Sequence, residues 1–191
     1  MTSPKKVFIM RGVPGSGKST WIANKIKDLN EKFPGIMCQV VSADHYFETD
    51  CGNIKYHSEV KAMGPMGQVW EAPCVPECST FSKYKFDAKL LGAAHKQCQD
   101  GFVYAIGGDW PAFIFVDNTN LSVREMHFYV KSCINYGIEF VIVNVECDFN
   151  EAAVRNVHGV PPEKVKQMAK TMHKSDQHIP KEWPQINVRG T

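Results

Sequence analysis

The feature that most constrains this chain is a glycine-rich stretch at positions 11–20, RGVPGSGKST. An apolar run at 6–11 precedes it. Apolar residues then recur at helical spacing, at Trp21, Ile22, Ile26 and Leu29. The pattern predicts a buried strand, a tight loop and an amphipathic helix, in that order.

The loop fits the spacing G-x-x-x-x-G-K-[S/T] through Gly12, Gly17, Lys18 and Ser19. Glycines let backbone N–H groups converge on a phosphate, and the following helix presents its positive end to it. Lys18 is predicted to reach the outer phosphates, and the Ser19 hydroxyl to bind Mg²⁺. We therefore expect ATP and Mg²⁺ as cofactors. The candidate nucleotide-binding residues of the loop are Gly12, Pro14, Gly15, Ser16, Gly17, Lys18, Ser19 and Thr20.

Three further apolar runs, at 36–44, 112–117 and 139–148, are continuous rather than alternating. Such runs are typical of parallel strands covered on both faces. Helices are predicted between and after them, starting near Asp87, Ser122, Asp148 and Pro162, with the first ending at Gly101. The sequence predicts an α/β fold of the P-loop NTPase, kinase-like type: a three-layer sandwich with a central parallel sheet.

Length and composition fit one domain over residues 1–191, with 43% apolar and 22% charged residues. Residues 50–80 lack a clear period, and we expect an irregular insertion there. The start of the chain has too few apolar residues for a signal peptide, and no run is long enough to span a membrane. Seven cysteines, an odd number, favour reduced thiols. We expect an intracellular protein, cytoplasmic or nuclear, without membrane partners; the sequence leaves its oligomeric state open.

Two acidic residues end apolar runs. Asp117 follows AFIFV and is the candidate partner of Ser19 in holding the metal, with a turn or cap residue in DNTN as the alternative. Asp44 follows VVSA, at a strand end that faces the acceptor in P-loop kinases. We predict that Asp44 is the general base for an attacking hydroxyl, with an ordinary strand-end turn as the alternative.

Four segments occur in the order and spacing of the P-loop polynucleotide 5′-hydroxyl kinases: GVPGSGKST, SADHYF, VDNTNL and RNVHGVPPEKV. The chain resembles this family, and YKFDAKLLGAAHKQC (84–98) is most similar to kinase domains of the NEDD-four-binding-protein-two type. The resemblance implies transfer of the ATP γ-phosphate to a 5′-hydroxyl end of RNA or DNA, as in nucleic-acid repair. It implies Lys18, Asp44 and Arg155 as catalytic residues. Arg155 would lie in a lid, at about 150–162, over the ATP phosphates.

The chain departs from the family pattern at two positions. Phe47 stands where the bacteriophage member of this kinase family carries an acceptor-binding arginine, and His158 stands in place of a second lid arginine. An apolar ring cannot pair with a phosphate, so other residues must supply that charge. Side chains in or beside the insertion are candidates, with solvated surface and loop packing as the alternative: Lys55, Lys61, Lys83 and Lys85 for charge, and Tyr46, Phe47, Tyr56, Trp70 and Phe81 for base stacking.

Other interpretations remain open from the sequence. Cys74 and Cys78, with Cys51 and His57, form a weak candidate zinc site. His173 and His178 lack the two His-x-Thr/Ser units of a phosphodiesterase, and His95 is predicted to pack on a helix face. The alternative functions are a small-metabolite kinase, which a closed pocket would favour, and a nucleotide-binding module without catalysis.

Overall fold

The computed structural model describes residues 5–47, 86–109 and 112–190 in full, and residues 61–63 and 69–71 as backbone. Five parallel strands form the central sheet, in the spatial order β2, β5, β1, β6, β7. Their bounds are β1 Lys6–Arg11, β2 Cys38–Val41, β5 Phe113–Val116, β6 Glu139–Glu146 and β7 Gln185–Arg189. Two short strands, β3 (Lys61–Met63) and β4 (Val69–Glu71), pair antiparallel to each other.

Five α-helices complete the described fold: α1 Lys18–Lys32, α2 Leu91–Gly107, α3 Val123–Tyr136, α4 Phe149–Arg155 and α5 Pro162–Asp176. Alternate residues of β1 contact opposite helix layers. Phe8 and Met10 pack in the cluster that includes α1, whereas Val7 and Ile9 pack with α2 and α3. This doubly covered parallel sheet confirms the predicted α/β sandwich.

The continuous apolar runs are strands, but each strand is shorter than its run. β2 ends at Val41, because Asp44 already opens a short 3-10 turn, Asp44–Phe47. Helix α2 runs on to Gly107, so the end predicted at Gly101 is wrong. Buried Phe102, Ala105 and Ile106 continue the apolar face beyond that glycine. Their burial offsets the roughly 1 kcal/mol that a glycine costs inside a helix.

The fifth strand, β7, was not predicted from the sequence. Its residues are mostly exposed or half-buried, and Gln185 and Asn187 interrupt any apolar run. β7 lies at an edge of the described sheet, and its side chains stay exposed to solvent or half-buried, so it lacks the continuous apolar pattern of β1. Most of the segment predicted as an insertion, including the candidate zinc residues Cys51, His57, Cys74 and Cys78, lies outside the described residues.

The carboxyl ends of β1, β2, β5 and β6 lie at one edge of the sheet, where ligands bind in open parallel α/β sheets. The glycine loop, Asp44, Asp117 and α4 follow these four ends, respectively. The topology therefore brings the predicted site residues to one edge. No helix within the described ranges is both long enough and apolar enough to cross a membrane.

Candidate active site

The phosphate loop lies between β1 and α1 as predicted. Gly15 and Gly17 have φ of 78° and 94°, the left-handed region that glycine adopts without strain. Gly17 is the N-cap of α1, and no side chain caps the helix there. The first N–H groups of α1 therefore donate to no capping side chain and can donate to a ligand, as they do in phosphate sites.

Two later segments press against this loop. A Cβ on Gly15 would come within 2.0 Å of the Ala152 carbonyl oxygen in α4. A Cβ on Gly190 would come within 1.8 Å of the Ser16 carbonyl oxygen. Both distances are impossible for a real side chain, so each contact requires glycine. The need for Gly190 was missed, because NVRG carries no recognisable motif in the sequence.

Lys18 lies across its own loop. Its Nζ donates hydrogen bonds to the carbonyl oxygens of Gly12, at 3.1 Å, and Val13, at 2.9 Å. Burial lowers the pKa of Lys18, and the nearby carboxylates of Asp117 and Asp44 oppose that shift. The ammonium group, on a half-buried side chain, is therefore bonded to the loop and lies near the two acidic residues.

Ser19 and Asp117 meet as predicted. The Ser19 hydroxyl donates to Asp117 Oδ2 over 2.7 Å, joining the first turn of α1 to the end of β5. Mg²⁺ prefers oxygen ligands and is usually held by one or two carboxylates together with substrate phosphates. A hydroxyl and a carboxylate beside the phosphate loop fit that ion, and Ser19 and Asp117 are the residues that would hold it.

Asp44 opens the 3-10 turn that follows β2 and lines the same cavity as Lys18 and Asp117. His158, from the connection between α4 and α5, places its Nε2 3.9 Å from Asp44 Oδ2. His158, which the resemblance aligns with a second lid arginine, is thus next to the candidate base. No local pattern in the sequence indicates this pairing, which brings together residues 114 positions apart.

Arg155 ends α4 and also lines the cavity. Its Nη2 donates to Glu151 Oε2 and to Cys147 Sγ, both over 2.9 Å. Burial raises the pKa of Cys147, while the Arg155 charge acts in the opposite direction. The candidate lid arginine is thus paired with its own helix and with the residue that follows β6.

One cavity of about 740 Å³ connects these groups. Its phosphate end includes Pro14, Gly15, Gly17, Lys18, Ser19 and Thr20. Gly12 and Ser16 do not line it: the Ser16 side chain is fully buried, and its N–H donates to the Val13 carbonyl. The remaining lining residues include Asp44, Phe86, Leu91, His95, Asp117, Asn118, Arg155, His158, Lys164 and Met168.

We call Asp44, Phe86, Leu91 and His95 the acceptor wall of this cavity. Phe86 and Leu91 are 55% and 39% exposed, and His95 is half-buried on α2 and lines the cavity. Lys164, at the start of α5, was not singled out from the sequence and also lines the cavity. Two residues of the wall, Phe86 and Leu91, are apolar, and the other two, Asp44 and His95, are polar.

Phe47 is a core residue with 2% of its surface exposed. Its ring lies 5.2 Å from the Phe86 ring and 5.4 Å from the Tyr46 ring, between centroids. Phe47 therefore supports the acceptor wall from behind and presents no charge to it. Lys55, Tyr56, Phe81, Lys83 and Lys85, and the side chains of Lys61 and Trp70, lie outside what the structure describes.

Related sequences occur in much longer proteins. The chain is 27% identical over 173 residues to YLP motif-containing protein 1 and 28% identical over 170 residues to NEDD4-binding protein 2, both from Homo sapiens. The alignments cover 91% and 85% of this chain, respectively, but only 7% of each relative. The chain thus spans less than a tenth of the length of these curated relatives.

Solved structures share the fold at low sequence identity. Chaetomium thermophilum Kti12 in complex with ADP-AlF3 has a TM-score of 0.56 at 10% identity, over 96% of this chain and 88% of that one. The Mycobacterium tuberculosis APS kinase CysC, in complex with AMPPNP and APS, gives 0.51 at 17% identity, over 98% and 90%. A Pnkp1/Rnl/Hen1 complex gives 0.50 at 16%, over 83% and 40%. These similarities support the fold, and two of the structures contain nucleotides or their analogues.

The family match extends over most of the described structure. Residues 7–173 match the model described as an AAA domain, and they include the phosphate loop, both acidic residues and Arg155. The chain therefore belongs to this AAA-domain family and has the fold of a P-loop, kinase-like nucleotide-binding domain.

Proposed function

We propose that the protein is an ATP-dependent polynucleotide 5′-hydroxyl kinase. The observation that carries the proposal is the placement of Asp44 on the same cavity as Lys18 and the Ser19–Asp117 pair. A protein that only binds nucleotide has no need for a carboxylate opposite the phosphate loop. The choice of a nucleic-acid acceptor rests on the resemblance carried by SADHYF, VDNTNL and RNVHGVP. We further propose an intracellular location, where ATP and nucleic acid are both present.

In the proposed reaction, the Asp44 carboxylate accepts the proton of the 5′-hydroxyl as its oxygen attacks the γ-phosphorus. A new O–P bond forms, and the bond from the γ-phosphorus to the bridging oxygen breaks, so that ADP leaves. Lys18 and the N–H groups of α1 stabilise negative charge on the phosphates. Mg²⁺, when bound by Ser19 and Asp117, would neutralise charge that develops on the β- and γ-phosphates.

Arg155 requires a change of partner to take part. It must leave Glu151 and Cys147 to reach a phosphate, since its Nη2 is bonded to both in this structure. A phosphate with two negative charges attracts a guanidinium more strongly than one carboxylate does. We propose that ATP itself draws the Arg155 side chain, which already lines the cavity, away from Glu151 and Cys147 and onto its phosphates.

A second candidate, a small-metabolite kinase, is favoured by the acceptor wall. Phe47 is buried where a charged residue would meet an acceptor phosphate, and Phe86 and Leu91 present apolar surface. Such a wall suits a small neutral ring as well as a nucleotide base. The two candidates share ATP as the phosphate donor. They differ in the molecule that carries the reacting hydroxyl, which is a nucleic-acid end in one case and a small metabolite in the other.

The test is label transfer from γ-labelled ATP with Mg²⁺ to RNA and DNA oligonucleotides that carry free 5′-hydroxyls. The same oligonucleotides with 5′-phosphates are the matched blank acceptors, and free nucleosides represent small acceptors. We expect transfer to the 5′-hydroxyl ends alone. Transfer only to nucleosides would support the second candidate, and ATP binding without any transfer would indicate a non-catalytic module.

Asp44→Asn tests the assigned base. We expect a fall in kcat of about 10²–10⁴-fold, the usual contribution of general acid–base catalysis, with ATP affinity unchanged. Glu31→Gln, which removes an exposed carboxylate on α1, is the matched control. Full activity of Asp44→Asn would show that another group takes the proton.

A further inference from the structure

The segment DNTN, directly after β5, contains two buried amide side chains. Asn118 is 7% exposed and Asn120 is 2% exposed. Buried amides are expected to have hydrogen-bond partners, because an unpaired polar group costs stability. The partners of Asn118 show what this residue connects.

Asn118 joins three elements through one amide. Its Oδ1 accepts the backbone N–H of Ala43 over 2.9 Å. Its Nδ2 donates to the Tyr129 hydroxyl in α3, at 3.1 Å, and to Cys98 Sγ in α2, at 3.3 Å. The buried helices therefore hold the amide in one orientation, and the amide in turn holds Ala43, the residue before Asp44.

A second link connects the same two strand ends. The Ser42 hydroxyl donates to the Asp117 carbonyl over 2.8 Å, and the Asp44 N–H donates to Ser42 Oγ over 3.2 Å. The Asp117 N–H also donates to the Val41 carbonyl, at 2.9 Å. The backbone that carries the candidate base is thus tied to the backbone that carries the candidate metal ligand.

We propose that Asn118 is a positioning residue that sets the location of the Asp44 carboxylate relative to the phosphate loop. This inference rests on the proposed function of Asp44. β2 ends at Val41, and the Ala43 N–H donates to the Asn118 amide instead of to a neighbouring strand, while the Ala43 carbonyl accepts from the Tyr46 N–H within the 3-10 turn. A displacement of about 1 Å in a reacting group can cost about 10²-fold in rate, so loss of the Asn118 bond should be measurable in kcat.

The kinetic test is a double-mutant cycle with Asn118→Ala and Asp44→Asn, measured by label transfer to a 5′-hydroxyl oligonucleotide. Asn118→Ala is expected to lower kcat by about 10–100-fold with little change in the KM for ATP. In the Asp44→Asn background, Asn118→Ala should lower kcat by less than about 3-fold, because the carboxylate that Asn118 positions is already gone. Equal losses in both backgrounds would overturn the proposal, since Asn118 would then act independently of Asp44.

Two further variants separate positioning from stability. Ser132→Ala removes a half-buried hydrogen bond within α3, from Ser132 Oγ to the Phe128 carbonyl, at a residue that does not line the cavity. It should leave kcat unchanged, and the melting temperatures of both variants are measured beside their rates. Tyr129→Phe removes one anchor of the Asn118 amide and keeps the bond to Ala43, so we expect a smaller loss in kcat, of about 3–10-fold. A larger loss in Ser132→Ala than in Asn118→Ala would contradict the proposal.

Hydrogen exchange at the Ala43 amide tests the contact without any activity. The Asn118→Ala variant should lose protection at this N–H, while Ser132→Ala should keep it. If the wild-type protein transfers no label, the proposed function fails, and this measurement still decides whether Asn118 holds the Asp44 segment. Unchanged protection of Ala43 in Asn118→Ala would overturn the inference.

Discussion

The two ends of the cavity are built in different ways. The phosphate end comes mainly from one continuous stretch, 14–20, whose shape follows from local backbone geometry. The acceptor wall comes from the end of β2, the residue Phe86 and the start of α2, which meet only in the folded chain. The first end is therefore recognisable from sequence and common to many phosphotransferases, whereas the second depends on this particular packing.

The largest expected effect is at the phosphate end. Lys18→Ala removes the ammonium that lies between the loop carbonyls and the two carboxylates, and we expect kcat/KM to fall by about 10³-fold for every acceptor. Label transfer to RNA, DNA and nucleosides measures it. Lys27→Ala, an exposed lysine on α1, is the control and should be unchanged. A loss confined to one acceptor would mean that Lys18 also belongs to the acceptor end.

The lid arginine should have the next largest effect. Arg155→Ala is expected to lower kcat by about 10–100-fold, because a charge that stabilises the transferring phosphoryl group is lost. Steady-state kinetics with saturating acceptor measure it, with the exposed Arg124→Ala as control. Glu151→Gln, which weakens the pairing of Arg155 with its own helix, should preserve activity. An inactive Glu151→Gln would contradict the view that Glu151 merely holds the arginine before ATP arrives.

The glycine contacts of the loop should appear as lost stability. Gly15→Ala forces a residue with φ of 78° to carry a Cβ against the Ala152 carbonyl, and we expect a loss of about 1–3 kcal/mol in the free energy of unfolding. Gly35→Ala is the matched control. Gly35 has φ of 82° with open space around it, so the variant isolates the cost of the backbone conformation. Chemical denaturation measures the free energy of unfolding of both variants. Equal losses in Gly15→Ala and Gly35→Ala would show that the contact with α4 adds nothing to the cost of the Cβ.

The smallest effect is expected behind the acceptor wall. Phe47→Leu keeps an apolar side chain in the core and should cost about 1 kcal/mol of stability, with less than about a 3-fold change in the KM for the acceptor. Denaturation and acceptor titrations measure the two quantities, and Phe33→Leu, at an exposed ring, is the control. A large rise in acceptor KM at unchanged stability would place Phe47 in direct contact with the acceptor.

Local pattern predicted much of the fold. Continuous apolar runs located β1, β2, β5 and β6, and the glycine loop marked the turn between β1 and α1. The apolar pattern of the sequence could not indicate β7, because its residues are exposed or half-buried and include Gln185 and Asn187. The sequence also predicts that α2 ends at Gly101, which is too early. Burial of Phe102 and Ile106 outweighs the low helix propensity of that glycine.

By itself, the sequence determined the phosphate loop and the presence of acidic residues at two strand ends, since both depend on neighbours a few positions away. The tertiary structure decided what surrounds them: Ser19 on Asp117, His158 beside Asp44, Arg155 on Glu151 and Cys147, and Asn118 holding Ala43. The Arg155 contacts are local, because Glu151 lies in α4 and Cys147 lies just before it. The other pairings join residues far apart in the chain. No local spacing encodes them, because strand order and helix packing set which side chains meet.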